Sequence, residues 1–138
     1  MEIVIHEGTD EAIVRSFLNA QWHAIDPEPW VGGRCVIRAE RDGTLIGVAT
    51  CSYSAGVAHL SELMVAPEER NHGIGARLLA AFEEWATTHN AHKLSLNTRL
   101  GGPAQRLYER NGWRIENVRE NHYLHQDYVV MVKEPGKA

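Results

Sequence analysis

Cysteine is scarce in this chain. Only Cys35 and Cys51 occur, and no CxxC pair exists, which excludes a zinc ribbon or a thioredoxin-type redox motif. Both fall in strand-like segments and read as packed thiols, because cysteine behaves as a small hydrophobe. Long apolar runs are missing too, and none approaches the roughly 20 residues of a membrane span. The opening residues Met1-Glu2-Ile3-Val4-Ile5-His6-Glu7 lack the basic and then apolar regions of a signal peptide. Positive charge is the minority sign, with 14 Lys and Arg against 18 Asp and Glu and a formal net charge of −4. A nucleic-acid-binding domain carries a basic patch, and none is evident. Repeats, low-complexity runs and linkers are absent. These gaps lead to a cytoplasmic protein with neither a membrane nor a nucleic-acid partner.

The chain does have an ordinary globular balance, 43% hydrophobic and 23% charged residues over 138 positions. That length suits one domain, residues 1–138, burying about two-thirds of its unfolded surface. Residues 2–6 alternate apolar and polar and predict a strand. Thr9 or Asp10 caps a helix whose apolar face is Ile13, Val14, Phe17 and Leu18. Residues 21–33 carry two Pro, two Gly and two Trp and read as a loop with room for a short helix. A hairpin follows: Cys35–Glu40, a turn at Asp42-Gly43, then Leu45–Tyr53. Further strands are expected over 57–65, 92–98, 113–118 and 128–133. Helices are expected over about 73–89, with Ile74, Leu78, Leu79, Phe82 and Trp85 on one face, and from Pro103 to about Asn111-Gly112. The order βαβββαβαββ describes a mixed sheet flanked by helices, an α/β (α+β) architecture.

The chemistry concentrates between Leu63 and Leu78, where a strand ends, a short loop turns and a helix starts among glycines. Free N–H groups and a partial positive charge at a helix N-terminus form an anion site, above all for phosphate. Gly73 and Gly75 allow a pyrophosphate close to the backbone, and Arg70 adds positive charge. Other phosphate loops fit less well. A Rossmann fingerprint needs a third glycine where Leu78 stands, and no G-x-x-x-x-G-K-[ST] run exists.

Arg70-Asn71-His72-Gly73-Ile74-Gly75 resembles the R/Q-x-x-G-x-G/A motif of the GNAT acetyltransferases. Val65-Ala66-Pro67-Glu68 resembles the V-x-P-E run that leads into it. Ala104-Gln105-Arg106-Leu107-Tyr108-Glu109-Arg110-Asn111-Gly112-Trp113 resembles the family's A-x-x-L-Y-E-x-x-G-F segment. Together they cover roughly residues 34–133. The resemblance implies a mostly antiparallel sheet whose strands near 57–65 and 92–98 splay apart to admit the pantetheine arm of acetyl-coenzyme A. Leu63, Met64 and Val65 would line that arm, bonding it as an added strand. Arg70, Asn71, His72, Gly73, Ile74, Gly75 and Ala76 would hold the pyrophosphate. An asparagine common to the family is replaced by Gly101, and Asn97 is the substitute on the preceding strand.

The implied reaction is direct attack of an amine on the thioester, without a metal. Tyr108, at the tyrosine of the second motif, is the expected acid towards the leaving thiolate. For the base, strict alternation puts His59, Ser61, Leu63 and Val65 on one strand face and Leu60, Glu62 and Met64 on the other. His59 stands where related enzymes carry a proton-accepting Glu or His, and imidazole suits that task. Glu62 is the rival. His122 and His125 form an H-x-x-H pair with no third ligand nearby, so no metal site is expected. Trp22, His23, Asp26, Glu28 and Trp30 are candidates for an acceptor pocket, with Tyr123 and His125 on its other wall. The expected acceptor is a small-molecule amine, with protein acetylation and a non-catalytic coenzyme-binding module as alternatives. Dimerisation is common in such folds, and no sequence feature decides it.

Overall fold

A computed structural model describes residues 1–8, 11–25 and 31–136. Thr9 and Asp10, offered as helix caps, and Asp26, Glu28 and Trp30, offered as pocket residues, lie outside the described residues. The chain divides into two compact units, Met1–Trp30 and Val31–Ala138. Among the described residues the first contains one helix, α1 (Ala12–Ile25). This helix corrects the expected loop from residue 21: Ala20, Gln21 and Ala24 are good helix formers and carry the helix through Trp22 and His23. The strand expected over 2–6 is absent, because alternation makes a strand only where a partner edge supplies the ladder.

The second unit holds β1 (Gly32–Arg41), β2 (Thr44–Ser54), β3 (Val57–Val65), α2 (Ile74–Thr88), β4 (Lys93–Arg99), α3 (Pro103–Arg110), β5 (Arg114–Arg119) and β6 (Tyr128–Lys133). They form one six-stranded sheet in the order β1-β2-β3-β4-β6-β5. Only β3 and β4 pair in parallel, and every other neighbour is antiparallel. The β1–β2 turn falls at Asp42-Gly43, both with positive φ, as a tight hairpin requires.

One sheet face carries Ala49 and Cys51 of β2, Ala58 and Leu60 of β3, Leu94 and Leu96 of β4, and Met131 of β6, all buried. Against it lie Leu78, Leu79, Phe82 and Ala86 of α2, four residues spaced for one helical face. Phe82 stacks on Trp113 at 6.3 Å between ring centroids. Cys35 and Cys51 stand opposite each other in the β1–β2 register as free thiols. Burial pushes the Cys51 thiol up to about 12, so it packs rather than reacts.

Lys133 ties three elements together. From β6 its Nζ reaches Glu83 of α2 at 2.6 Å and the Asn111 carbonyl, the C-cap of α3, at 2.8 Å. Lys133→Met keeps the packed stem and removes both bonds. It is expected to cost about 1–3 kcal/mol, since Glu83 loses its charged partner in a half-buried setting. Urea unfolding of the two proteins checks this; equal midpoints would refute it.

Candidate active site

The sheet opens in its middle. The parallel ladder has four pairs, from Val57 with Lys93 to Leu60 with Leu96. Beyond them β3 continues to Val65 and β4 to Arg99 without pairing to each other. The Ala66 N–H donates to the Ile46 carbonyl at 2.8 Å, so its backbone faces β2. Alternation then turns the N–H and C=O groups of Val65 and Leu63 towards the gap. They form a short free strand edge, while the backbone of Met64 belongs to the β2 side. The Val65 carbonyl accepts a 2.9 Å hydrogen bond from Arg70 Nε. The Arg70 side chain is thus folded onto the strand end, with its guanidinium 3.6 Å from Met64 Sδ.

At the mouth of the gap stands the N-terminus of α2. Gly73 is its N-cap, in the left-handed region at φ 79°, with no side-chain cap and no acidic residue in the first turn. The first helical bond runs from the Arg77 N–H to the Gly73 carbonyl, so Ile74, Gly75 and Ala76 present N–H groups that the helix cannot use. Asn71 is also left-handed, at φ 65°, and turns the chain just ahead of this cradle. His72 lies within the same loop. A Cβ on Gly75 would stand 3.4 Å from Leu107 Cδ2 and 4.0 Å from Val65 Cγ2. Gly75 therefore faces the space between the end of β3 and α3.

Strict alternation fails in β3. Glu62 pairs with Thr50 and Leu60 with Cys51, which leaves Ser61 as the extra residue of a β-bulge. The bulge resets the faces. Ala58, Leu60, Leu63 and Val65 share the core face, and His59, Glu62 and Met64 share the other. This corrects the expected grouping of His59 with Leu63 and Val65, and it brings both candidate bases to one side. Glu62 accepts a 3.1 Å hydrogen bond from Thr50. His59 Nδ1 lies 2.8 Å from Ser95 Oγ on β4, in the last pair but one before the strands part. Burial lowers the His59 pKa below its ordinary value, so the ring is neutral near pH 7.

Tyr108 occupies the opposite face. It is 6% exposed, within the core beside Trp113, their rings 6.1 Å apart. Burial raises its phenol pKa, so the hydroxyl keeps its proton through the neutral range. Asn97 is exposed on β4 just past the last ladder pair, and alternation from Ser95 puts it on the His59 face. The acid candidate and the base candidates thus flank the sheet, and the gap joins their two sides.

The β5–β6 connection sits at the open end of the gap, because the Leu100 N–H bonds to the Asp127 carbonyl and Arg99 pairs with Tyr128. Tyr123 and His125 belong to it. The Tyr123 ring packs edge-on to Tyr128 at 5.2 Å, and His125 Nδ1 lies 3.2 Å from Asn121 Oδ1. His122 packs against Tyr123 at 4.2 Å. Ser95, the partner of His59, went unnoticed in the sequence, because only the parallel register brings it there.

Comparison with known proteins shows a family and a shared fold. The model of the acetyltransferase (GNAT) family covers residues 6–113. A candidate ribosomal protein bS18-alanine N-acetyltransferase of Bacillus subtilis (strain 168) is 31% identical over 95 residues, 67% of this chain. The aligned part spans 63% of that relative's length. In fold, the chain is similar to an acetyltransferase from Bacillus cereus ATCC 14579, with a TM-score of 0.73 and 18% identity over 94% of this chain and 97% of the other. It is also similar to a GNAT family acetyltransferase from Elizabethkingia anophelis with acetyl-CoA bound, with a TM-score of 0.65 and 23% identity over 72% and 74% of the two chains.

Proposed function

The chain belongs to the acetyltransferase (GNAT) family, and from that premise we propose that it moves an acetyl group from acetyl-coenzyme A to a primary amine of a small molecule. The reading is carried by the gap between β3 and β4, where a free backbone edge adjoins an uncapped helix N-terminus. A pantetheine arm has amides that suit such an edge, and a diphosphate suits such a helix start. Leu63 and Val65 would hold the arm. Arg70 to Ala76 would hold the diphosphate, and the Arg70 side chain would release the Val65 carbonyl as the arm takes that edge. When bound, acetyl-coenzyme A supplies an activated acyl group as a thioester.

The protein's own residues then manage protons and orientation. His59 accepts the proton that the ammonium form of the acceptor must lose, and its neutral state leaves it free to do so. Glu62, held by Thr50 on the same face, attracts the ammonium. A free N–H of the β3 edge stabilises negative charge developing at the carbonyl. Tyr108 supplies a proton to the departing sulfur. The proposed setting is the cytoplasm, in keeping with two unpaired cysteines, since thiols persist in reducing compartments.

A second reading, acetylation of a protein's N-terminal amine, is favoured by what the Bacillus subtilis relative is named for. Acetyl transfer to spermidine, phenethylamine and an alanine-terminated peptide separates the two. Turnover on the peptide alone would replace the small-molecule reading. Coenzyme binding without turnover on any amine would remove catalysis altogether.

The base assignment has its own test. Burial holds the His59 pKa below its ordinary value, so kcat/KM is expected to fall on the acid side of the usual histidine range. His59→Gln should abolish that acid limb and lower the plateau roughly tenfold, less than a full general-base effect because water also carries protons. A limb of unchanged shape in the variant would move the base elsewhere.

A further inference from the structure

We infer that Ser95 is a positioning residue for His59, accepting a hydrogen bond from Nδ1–H so that Nε2 is the nitrogen that takes the acceptor's proton. The inference rests on the reading of His59 as the base. Its ground is the 2.8 Å contact between His59 Nδ1 and Ser95 Oγ, made where the two residues stand opposite each other in the parallel ladder.

The chemistry of imidazole narrows the role of that contact. A neutral ring carries one N–H, and the other nitrogen holds the lone pair. If the Ser95 hydroxyl donates to Nδ1, the lone pair is occupied and Nε2 already bears a hydrogen, so the ring cannot act as base from either nitrogen without first rearranging. If Nδ1–H donates to Oγ, the Nε2 lone pair is free. Once the amine N–H bond breaks and the Nε2–H bond forms, the imidazolium has two N–H donors. Its Nδ1–H then keeps the same serine oxygen as acceptor. One arrangement therefore serves the ring before and after proton transfer, and it leaves the heavy atoms in place.

The surrounding groups leave this task to Ser95. The row of residues across the sheet through His59 is Arg34 on β1, Ser52 on β2, Ser95 on β4, Val132 on β6 and Arg114 on β5. Above and below it on the same face are Thr50, Glu62, Lys93 and Asn97. Lys93 is tied to Glu116 of β5 at 2.6 Å, and Arg114 to Glu134 at 2.8 Å. The paired charges offset each other, and Glu62 is engaged by Thr50. The position on β4 matters as well. Ser95 belongs to a strand held on both sides, by β3 and by β6, so its hydroxyl is set by the sheet before the ladder opens.

The test reads the ring directly. Two-bond proton–nitrogen NMR spectra of the intact, histidine-labelled protein report which nitrogen is protonated, with the His59 signals identified by their loss in His59→Gln. The wild type and Ser95→Thr are expected to show the Nδ1–H form across the neutral range. Ser95→Ala should reduce the ratio of that form to the other about fivefold, the size of one lost hydrogen bond. The same variant should also shift the His59 titration to lower pH, because the imidazolium loses an acceptor while burial remains. An unchanged tautomer and titration in Ser95→Ala would overturn the inference. The two readings fail separately in acetyl-transfer profiles. An acid limb that survives His59→Gln removes the base itself, whereas a limb lost in His59→Gln but unmoved in Ser95→Ala removes Ser95 alone.

Discussion

Gly75→Glu is expected to abolish measurable binding of coenzyme A. A side chain at this position leaves the backbone between Leu107 and Val65, with its first carbon 3.4 Å and 4.0 Å from their methyl groups. That carbon fits without moving either neighbour, so Gly75→Ala should bind within about tenfold of the wild type. The glutamate extends further into the cleft between α3 and the end of β3. It also sets a carboxylate beside N–H groups that would otherwise meet phosphate oxygens, and like charges repel there. A loss of at least about 100-fold in affinity, near 3 kcal/mol, is expected. Gly73→Glu should also weaken binding. Its side chain meets open space, but its backbone sits at φ 79°, where a non-glycine residue costs about 1–2 kcal/mol. Titration calorimetry with coenzyme A and acetyl-coenzyme A measures these effects, and thermal melting verifies that each variant is folded. Wild-type affinity in a folded Gly75→Glu protein would remove the assigned phosphate cradle.

Tyr108→Phe is expected to lower kcat about 100- to 1,000-fold and leave stability nearly unchanged. The ring is buried with Trp113 and the α2 face, and phenylalanine keeps that packing. What is lost is one proton donor, and general acid catalysis is worth about that much. The phenol is raised above its ordinary pKa by burial, so it remains protonated where the leaving thiolate, near ~8.5 by analogy with cysteine, still benefits from a proton. The same shift has a stability consequence. Above about pH 10 the unfolded chain ionises this tyrosine more readily than the folded one, so folding stability falls as pH rises. Tyr108→Phe should remove that contribution, which alkaline unfolding curves would reveal. Full turnover in Tyr108→Phe would reduce the residue to a packing role.

Much of the second unit was legible locally. The alternation in β2, the helical stripe from Ile74 to Trp85 and the Asp42-Gly43 turn each encode themselves within a few residues, and the structure follows them to within a residue or two. The helix start at Gly73 could be read for the same reason, since a glycine-bounded turn into a helix is written in consecutive residues. Pairing is different. That β3 lies parallel to β4 and that β6 inserts between β4 and β5 depends on contacts distant in sequence. His59 and Ser95 are 36 positions apart, and no pattern near either residue announces the other. The bulge at Ser61 was hidden as well, because one extra residue in a strand leaves the apolar pattern looking merely imperfect. Its effect on the site was large: Glu62 changed sides.

That single unpaired serine works as a phase shift in the strand. Upstream of it the odd-numbered residues look away from the core, and downstream the even-numbered ones do. Deleting it would leave an unbroken alternation with the same side chains facing in and out, because the extra residue is the one that has no partner in the ladder. What the serine adds is a local kink and extra twist in β3 at the very point where its ladder with β4 ends.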